Sequence, residues 1–320
     1  MRKLRNIFAI ILLAFFGLYI WGKIYAIEKP LVKAGRIADT ARIYQDLWYL
    51  TKQCQYRNYM HMDSLNKSAD YIKQRFSEIS DRVEMQKYNF RTFEFKNIIC
   101  SLGPADGERI IIGAHYDVCN DQEGADDNAS GICGLIELAR LLKNQNLKYR
   151  IDFVAYSLEE PPFFKSEYMG SYIHAKSLSD HKIKIKGMIC LEMLGFYKEE
   201  AHTQNYPAFF LRWFYGNKAN YITIVQKYGN GEFGRFISKR MKKDQVIRTK
   251  SFSGPLWLPG VDFSDQLNYW KFGYSGVMIT NTSFYRNPNY HQKGDRLETL
   301  NVGNIGLVVD ELYRTIREVK

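Results

Sequence analysis

Residues 109–142 read RIIIGAHYDVCNDQEGADDNASGICGLIELARLL, and this stretch decides the fold. The nearly continuous apolar run from Arg109 to Ala114 lacks alternation, which predicts a strand buried on both faces of a parallel sheet. From Ser130 to Leu142 the spacing predicts a helix, with Ile132, Leu135, Leu138 and Leu142 on its buried face. Downstream, Arg150 to Ser157 reads as a strand, Glu167 to Leu178 as a helix and Ile183 to Met193 as a strand. Such β-α-β-α-β alternation predicts an α/β fold of three layers, αβα, with a mostly parallel, mixed central sheet. Upstream, helices are expected over Leu31 to Met60 and Ser64 to Ile79, then paired strands over Arg82 to Phe90 and Phe93 to Leu102. Toward the C-terminus, strands are expected at Tyr221 to Gln226 and Gly276 to Asn281, and helices at Gly231 to Lys243 and Gly303 to Glu318. Asn205 to Tyr215, aromatic-rich and unpatterned, reads as a surface loop. With no repeat or linker in view, the division is an N-terminal segment, 1–27, and one domain, 31–320.

The expected strand ends carry an unusual set of side chains. His115 lies just past its strand, where open α/β sheets place their ligands. Asp117, two residues on, leaves an extended chain on the same side and is suited to orient the imidazole. Asp126 and Asp127 lie in a small-residue loop before a helix, and Glu159 and Glu160 end the next strand. Capping explains one aspartate. It does not explain two carboxyl pairs at neighbouring strand ends, which repel by several kcal/mol at short range in a poorly solvated cleft. Cations between them remove that cost. Glu192 closes an apolar strand, and His291 follows a strand and loop, with Asp295 placed to support it. Two imidazoles and three carboxylates suit zinc, which takes N and O ligands at roughly 2.0–2.2 Å. If His115, Asp126, Glu160, Glu192 and His291 converge, the chain is a metal-assisted hydrolase. Adjacent residues of an extended segment diverge, so one of Glu159 and Glu160 is expected to ligate and the other to act as general base. His61, His174, His181 and His202 lack such acidic surroundings and are expected to be structural or exposed.

Composition limits the other readings. Lys plus Arg number 45 against 34 Asp plus Glu, a formal charge of +11. Basic runs stay short and no nucleic-acid-binding signature appears, so the excess reads as a solvated surface. Arg2, Lys3 and Arg5 precede an apolar run from Ile7 to Trp21, extended by Tyr25 to Ile27, with Lys23 able to snorkel. Ile24-Tyr25-Ala26 is a poor cleavage site, which favours an uncleaved single-pass anchor over a cleaved signal. Its basic end would be cytoplasmic and the remainder exported, periplasmic or extracellular. Five cysteines (Cys54, Cys100, Cys119, Cys133, Cys190) are too scattered for a disulfide framework. Cys54 with Cys100 is the one conceivable bridge. Cys119, four residues past His115, is expected to be a structural thiol rather than a thiolate ligand. Three glycosylation triplets begin at Asn66, Asn128 and Asn281, the second accidental because a glycan would obstruct the acidic loop. Phe163, Phe164, Phe209, Phe210, Trp213 and Trp257 are candidates for an apolar pocket wall.

The motifs GAHYDV, GADDNASG, SLEE, LEMLG and YHQKGD, in this order between about Asn58 and Leu300, resemble the co-catalytic di-zinc aminopeptidases, metallopeptidase family twenty-eight. The run EEPPFFKSEYMGS resembles an exported bacterial branch of that family. The resemblance implies a zinc-exopeptidase type of fold and two zinc ions, or one in the glutaminyl cyclase relatives. It implies that His115 and Glu192 hold one ion, Glu160 and His291 the other, and Asp126 bridges them. Glu159 would be the general base, Asp117 would orient His115, and a cis peptide would fall at Asp126-Asp127. The implied activity is removal of N-terminal residues from peptides, with glutaminyl-peptide cyclisation or a non-catalytic binding module on the same scaffold as alternatives. The chain departs from the pattern at Glu192, where Asp is common, at Gln266, where SDH becomes Ser264-Asp265-Gln266, and at Pro161-Pro162. Asp265 is therefore given only a supporting role. Oligomeric state is left open.

Overall fold

A computed structural model describes residues 2–25, 30–32, 35–243 and 245–319. A 24-residue helix, α1 (Arg2–Tyr25), comes first. The extension of its apolar run through Ile27 and the snorkelling expected of Lys23 fall on residues or side chains outside those described. Next comes α2 (Thr40–Trp48), capped by Asp39, whose carboxylate accepts from the amides of Ala41 and Arg42. Where one long helix was expected over 31–60, α2 stops and a wider turn, Tyr49–Gln53, ends it. The remaining elements are α3 (Met62–Ser77), β1 (Val83–Phe90), β2 (Phe93–Leu102), β3 (Arg109–His115), α4 (Gly131–Leu142), β4 (Arg150–Tyr156), α5 (Gly170–Asp180), β5 (Ile185–Glu192), α6 (Arg212–Tyr215), β6 (Ile222–Lys227), α7 (Gly231–Met241), β7 (Thr249–Gly254), α8 (Gln266–Lys271), β8 (Gly276–Thr280) and α9 (Val302–Ile316).

The eight strands form one sheet in the order β1-β2-β4-β3-β5-β8-β6-β7. The centre, β4-β3-β5-β8, is parallel, whereas β1, β2 and β6 bring antiparallel neighbours. This is the mixed, mostly parallel three-layer sheet expected from the alternation of elements. Side chains alternate across β3: Ile110, Ile112 and Ala114 enter the larger core with α2, α3, α4 and α9, while Ile111 enters the smaller one with α5 and α8. Gly113 faces that second side, where the Tyr156 ring would lie 2.2 Å from any Cβ, so the close strand contact requires glycine there. After β3 the chain adds β4 on one side, then crosses to place β5 on the other. That change of direction opens a crevice at the carboxyl ends of β3 and β5.

The periphery adds one strand with no counterpart in the sequence reading and differs at one expected loop. Edge strand β7, with its half-polar TKSFSG, carries too little apolar pattern to be seen in the sequence. The expected loop 205–215 contains a short 3-10 turn (Phe209–Leu211) and α6. All five cysteines are buried and free, so Cys54 and Cys100 are not bridged.

Candidate metal centre

The carboxyl edge of the parallel strands brings four of the five expected ligands together. His115, the last residue of β3, places Nε2 3.3 Å from Glu192 Oε2 at the end of β5 and 3.4 Å from Asp127 Oδ1. His291 places Nε2 3.0 Å from Glu160 Oε2 and 3.2 Å from Asp127 Oδ2. One carboxylate, Asp127, therefore lies between two imidazole–glutamate pairs. Such a shared carboxylate is what a pair of cations roughly 3.5–4 Å apart requires.

The expectation that Asp126 is the bridging residue is corrected by its surroundings. Its Oδ1 accepts from the amide of Gly195 at 2.7 Å, and its Oδ2 accepts from the side-chain amides of Asn281 at 2.8 Å and Asn287 at 2.9 Å. Its oxygens point away from both imidazoles into a saturated network. The neighbouring residue takes the place expected for Asp126, because the chain turns sharply here and sends the two side chains to opposite sides. The non-proline cis bond likewise lies at Asp127-Asn128, one residue later than expected.

The loop is held by groups far apart in sequence. Asp295 accepts the backbone amides of Asp126 and Asp127, at 2.9 and 3.0 Å. The supporting role expected of it thus falls on the loop backbone. Asn128 donates to Leu191 O and accepts from the amides of Gly131 and Met193, tying the loop to the end of β5. Fully buried and engaged, its amide leaves no room for a glycan. Asn281 and Asn287 were not visible as site residues, since an asparagine in a loop carries no distinctive signal.

After β4 the chain behaves differently. Leu158 adopts φ +59, and Asp117 accepts the amides of both Glu159 and Glu160 at 3.1 Å. Both glutamates consequently face the cleft. Glu160 approaches His291, while Glu159 Oε2 lies 3.9 Å from His115 Nε2. Asp117 also stands 3.5 Å from His115 Nδ1, though its own backbone carbonyl is nearer, at 3.2 Å. Its carboxylate thus bonds the glutamate loop more closely than it approaches His115. Ser264 donates to Glu192 Oε2 at 2.6 Å, fixing the third carboxylate.

The electrostatics of the cluster fit cations. Burial pushes Glu159 well above the usual carboxylate range, against His115 and helped by Glu160 and Glu192. Burial and the Asp127 charge push Glu160 up to about 7, and burial raises Glu192 as well. Asp265, at the start of α8, is pushed to about 7 by burial, opposed by His115. His115 is held well above its ordinary value because Glu159 and Glu192 outweigh its own burial. Burial alone would raise Asp127, but the two imidazoles beside it hold it well below the ordinary range. Four buried carboxylates facing the buried His115 and the partly exposed His291 gather more negative charge than the two imidazoles can balance. Glu160 Oε1 is buried with no hydrogen-bond partner among the described residues. An oxygen in that state is open to a cation or a water, and the N/O donor set is one that zinc accepts.

A cavity of about 850 Å³, counted to its open mouth, adjoins the centre and includes Asp127, Glu159, Glu192 and His291 in its wall. Away from these residues its wall is uncharged and rich in aromatic and aliphatic groups, among them Tyr206, Tyr221, Phe252, Phe263, Phe284 and Met278. None of the six aromatics expected from sequence lines it. Phe163 is buried against Phe90 and Tyr59, Phe164 packs on Phe263, and Phe209 and Trp257 are largely exposed. Phe210 and Trp213 pack with Phe209 outside the wall. Of the histidines set aside, His174 is buried against Tyr269, His61 pairs with Asp121 at the surface, and His181 and His202 are exposed.

The model of peptidase family M28 matches residues 97–316, well over half of the chain. The chain is 41% identical to the uncharacterized protein YfbL of Escherichia coli (strain K12), over 88% of this chain and 89% of that one. It is 25% identical to a probable leucine aminopeptidase of Arthroderma otae, over 72% of this chain and 59% of the relative. Glutaminyl cyclase of Porphyromonas gingivalis superposes with a TM-score of 0.70 at 19% identity, covering 89% of this chain and 99% of that structure, a likeness of fold.

Proposed function

The chain belongs to peptidase family M28, and on that premise we propose that it is a metallo-aminopeptidase with a paired zinc centre. The observation that carries this reading is the position of Asp127 between the His115–Glu192 and His291–Glu160 pairs. His115 and Glu192 would hold one cation, Glu160 and His291 the other, and Asp127 both. When bound, such cations supply Lewis acidity to an attacking water and to the scissile carbonyl. Glu159 takes the proton of that water and returns it to the leaving amine nitrogen. Burial raises its proton affinity, which strengthens it as a proton acceptor. Asp117 holds the Glu159 backbone so that the carboxyl tip stays over the cleft. A free α-amino group is attracted to the carboxylates at the cavity's inner end, and the uncharged wall receives a large apolar first side chain. In Glu159→Gln we expect turnover of aminoacyl chromogenic substrates to fall by about 10²–10⁴-fold while the metal content stays unchanged. Full activity in that variant removes Glu159 from the mechanism.

Glutaminyl cyclisation is the second reading, favoured by the superposition with a cyclase. It predicts one metal per chain and formation of N-terminal pyroglutamate. The presence of both His115 and Glu192, a complete second ligand pair, supports the peptidase. Elemental analysis and a cyclisation assay separate the two.

We also read α1 as a membrane anchor. Its 24 residues rise about 36 Å, enough for a hydrocarbon core of about 30 Å. The apolar window Arg5–Gly22 is almost wholly exposed. Near its C-terminal end Tyr19 and Trp21 meet Trp213 and Phe214 edge-to-face at 5.5 and 5.2 Å, an aromatic group suited to the outer interface. The domain would then stand exported on the membrane surface. The full chain should resist alkaline extraction from membranes; release as a soluble, shortened chain would mark a cleaved signal instead.

A further inference from the structure

His115, Asp117 and Cys119 occupy alternate positions where the chain leaves β3, a spacing that turns side chains to one side of an extended segment. The first two belong to the site already described. The third follows them: the Cys119 sulfur, a Glu160 carboxylate oxygen and a His291 ring nitrogen all lie within 4.8 Å of one another. Cys119 is only 6% exposed. Its sulfur accepts a hydrogen bond from the Asn120 side chain at 3.3 Å. Independently, Glu160 Oε1 in the same cluster is buried with no hydrogen-bond partner among the described residues.

We propose that Cys119 is a metal ligand whose thiolate, with Glu160, His291 and the shared Asp127, closes one of the two cation positions. This inference rests on the paired-cation reading. It makes the two positions unequal. The His115–Asp127–Glu192 position has three protein donors, all nitrogen or oxygen, and lies beside Glu159. Zinc sites with three protein ligands keep a place for water, whereas four ligands including sulfur make a closed, holding site. The open His115 position would then take the attacking water, and the Cys119 position would chiefly anchor Asp127 and Glu160 while its cation lends charge to the shared site. A thiolate also biases that position toward zinc or cobalt and against magnesium or manganese. On binding, the thiol proton passes to solvent, one for each cation bound there.

The test uses the full chain, stripped with a chelator and reloaded with cobalt(II), with bound cobalt counted by elemental analysis. A sulfur-to-cobalt charge-transfer band in the near ultraviolet is expected in the unaltered chain. It should fall to baseline in Cys119→Ser and Cys119→Ala, and persist in Cys190→Ser. Far-ultraviolet dichroism confirms that each variant is folded, and the unaltered chain alone decides the matter if a variant is not. Two cobalt ions bound without the band, or a band that survives loss of Cys119, overturns the thiolate ligand and leaves the peptidase reading standing. A chain that binds no cobalt overturns both.

Discussion

The loops after β3 and β4 each carry two adjacent acids, yet they use them differently. In the first, Asp126 turns inward to three amide donors while Asp127 faces the cleft between two imidazoles. In the second, Asp117 grips both backbone amides and sends Glu159 and Glu160 into the cleft together. Both pairs are buried. Between Asp126 and Glu160 the contrast lies in whether the carboxylate oxygens are satisfied. Asp126 is saturated and lends rigidity; Glu160 keeps an oxygen without a partner among the described residues and is open to a ligand.

Substitutions in these loops can break the distinction, beginning with the largest effect. Asp127→Asn should lose both metals and all measurable turnover while remaining folded, which metal analysis and dichroism check together. Retention of two metals would mean Asp127 is not shared. Asp117→Asn weakens the grip on the glutamate loop, and we expect kcat to fall by about 10–100-fold, the usual consequence of disturbing a partner of the ligands. A change confined to KM would show instead that Asp117 serves substrate binding. Asp126→Asn sets a donor against the donors of Asn281 and Asn287. Because buried groups then lose their partners, unfolding stability should drop by about 3 kcal/mol, read by denaturant titration. Metal stoichiometry in that variant should stay at the level of the unaltered chain, the opposite of Asp127→Asn.

A smaller effect tests a buried polar group outside the cleft. Burial holds His174 down to about 4 from an ordinary value of 6.5, and it lies 2.6 Å from the Tyr269 hydroxyl. Asp152 pulls its affinity up, and Arg109 and Arg150 push it down. Between about pH 4 and 6.5 the unfolded chain binds a proton that the folded chain refuses, so stability falls as pH drops through that window and levels above it. His174→Gln should flatten this slope. An unchanged slope would assign the acid sensitivity to other groups.

Much of this was legible in residues 109–193, where apolar runs and amphipathic spacing alternate without interruption. A strand buried on both faces announces itself by composition, and its carboxyl end fixes where ligands gather. His115, Glu159, Glu160 and Glu192 could therefore be located from strand ends alone. Asp126 and Asp127 could not be told apart, because a loop has no period and the direction of each side chain depends on Asp295 and Asn128. The pocket wall was misread for a related reason. Aromatic residues near the motifs, such as Phe163 and Trp257, went to the core or the surface, while Phe252 and Phe284 reached the cavity through tertiary packing that no local pattern encodes. Strand β7 stayed hidden because an edge strand with few apolar residues resembles a loop.

Crystals of the zinc-loaded full chain, measured on either side of the zinc absorption edge, test the central claim most directly. The account predicts two anomalous peaks about 3.5–4 Å apart, with one Asp127 oxygen within about 2.2 Å of each. A single peak, or a pair shared by Asp126, contradicts it.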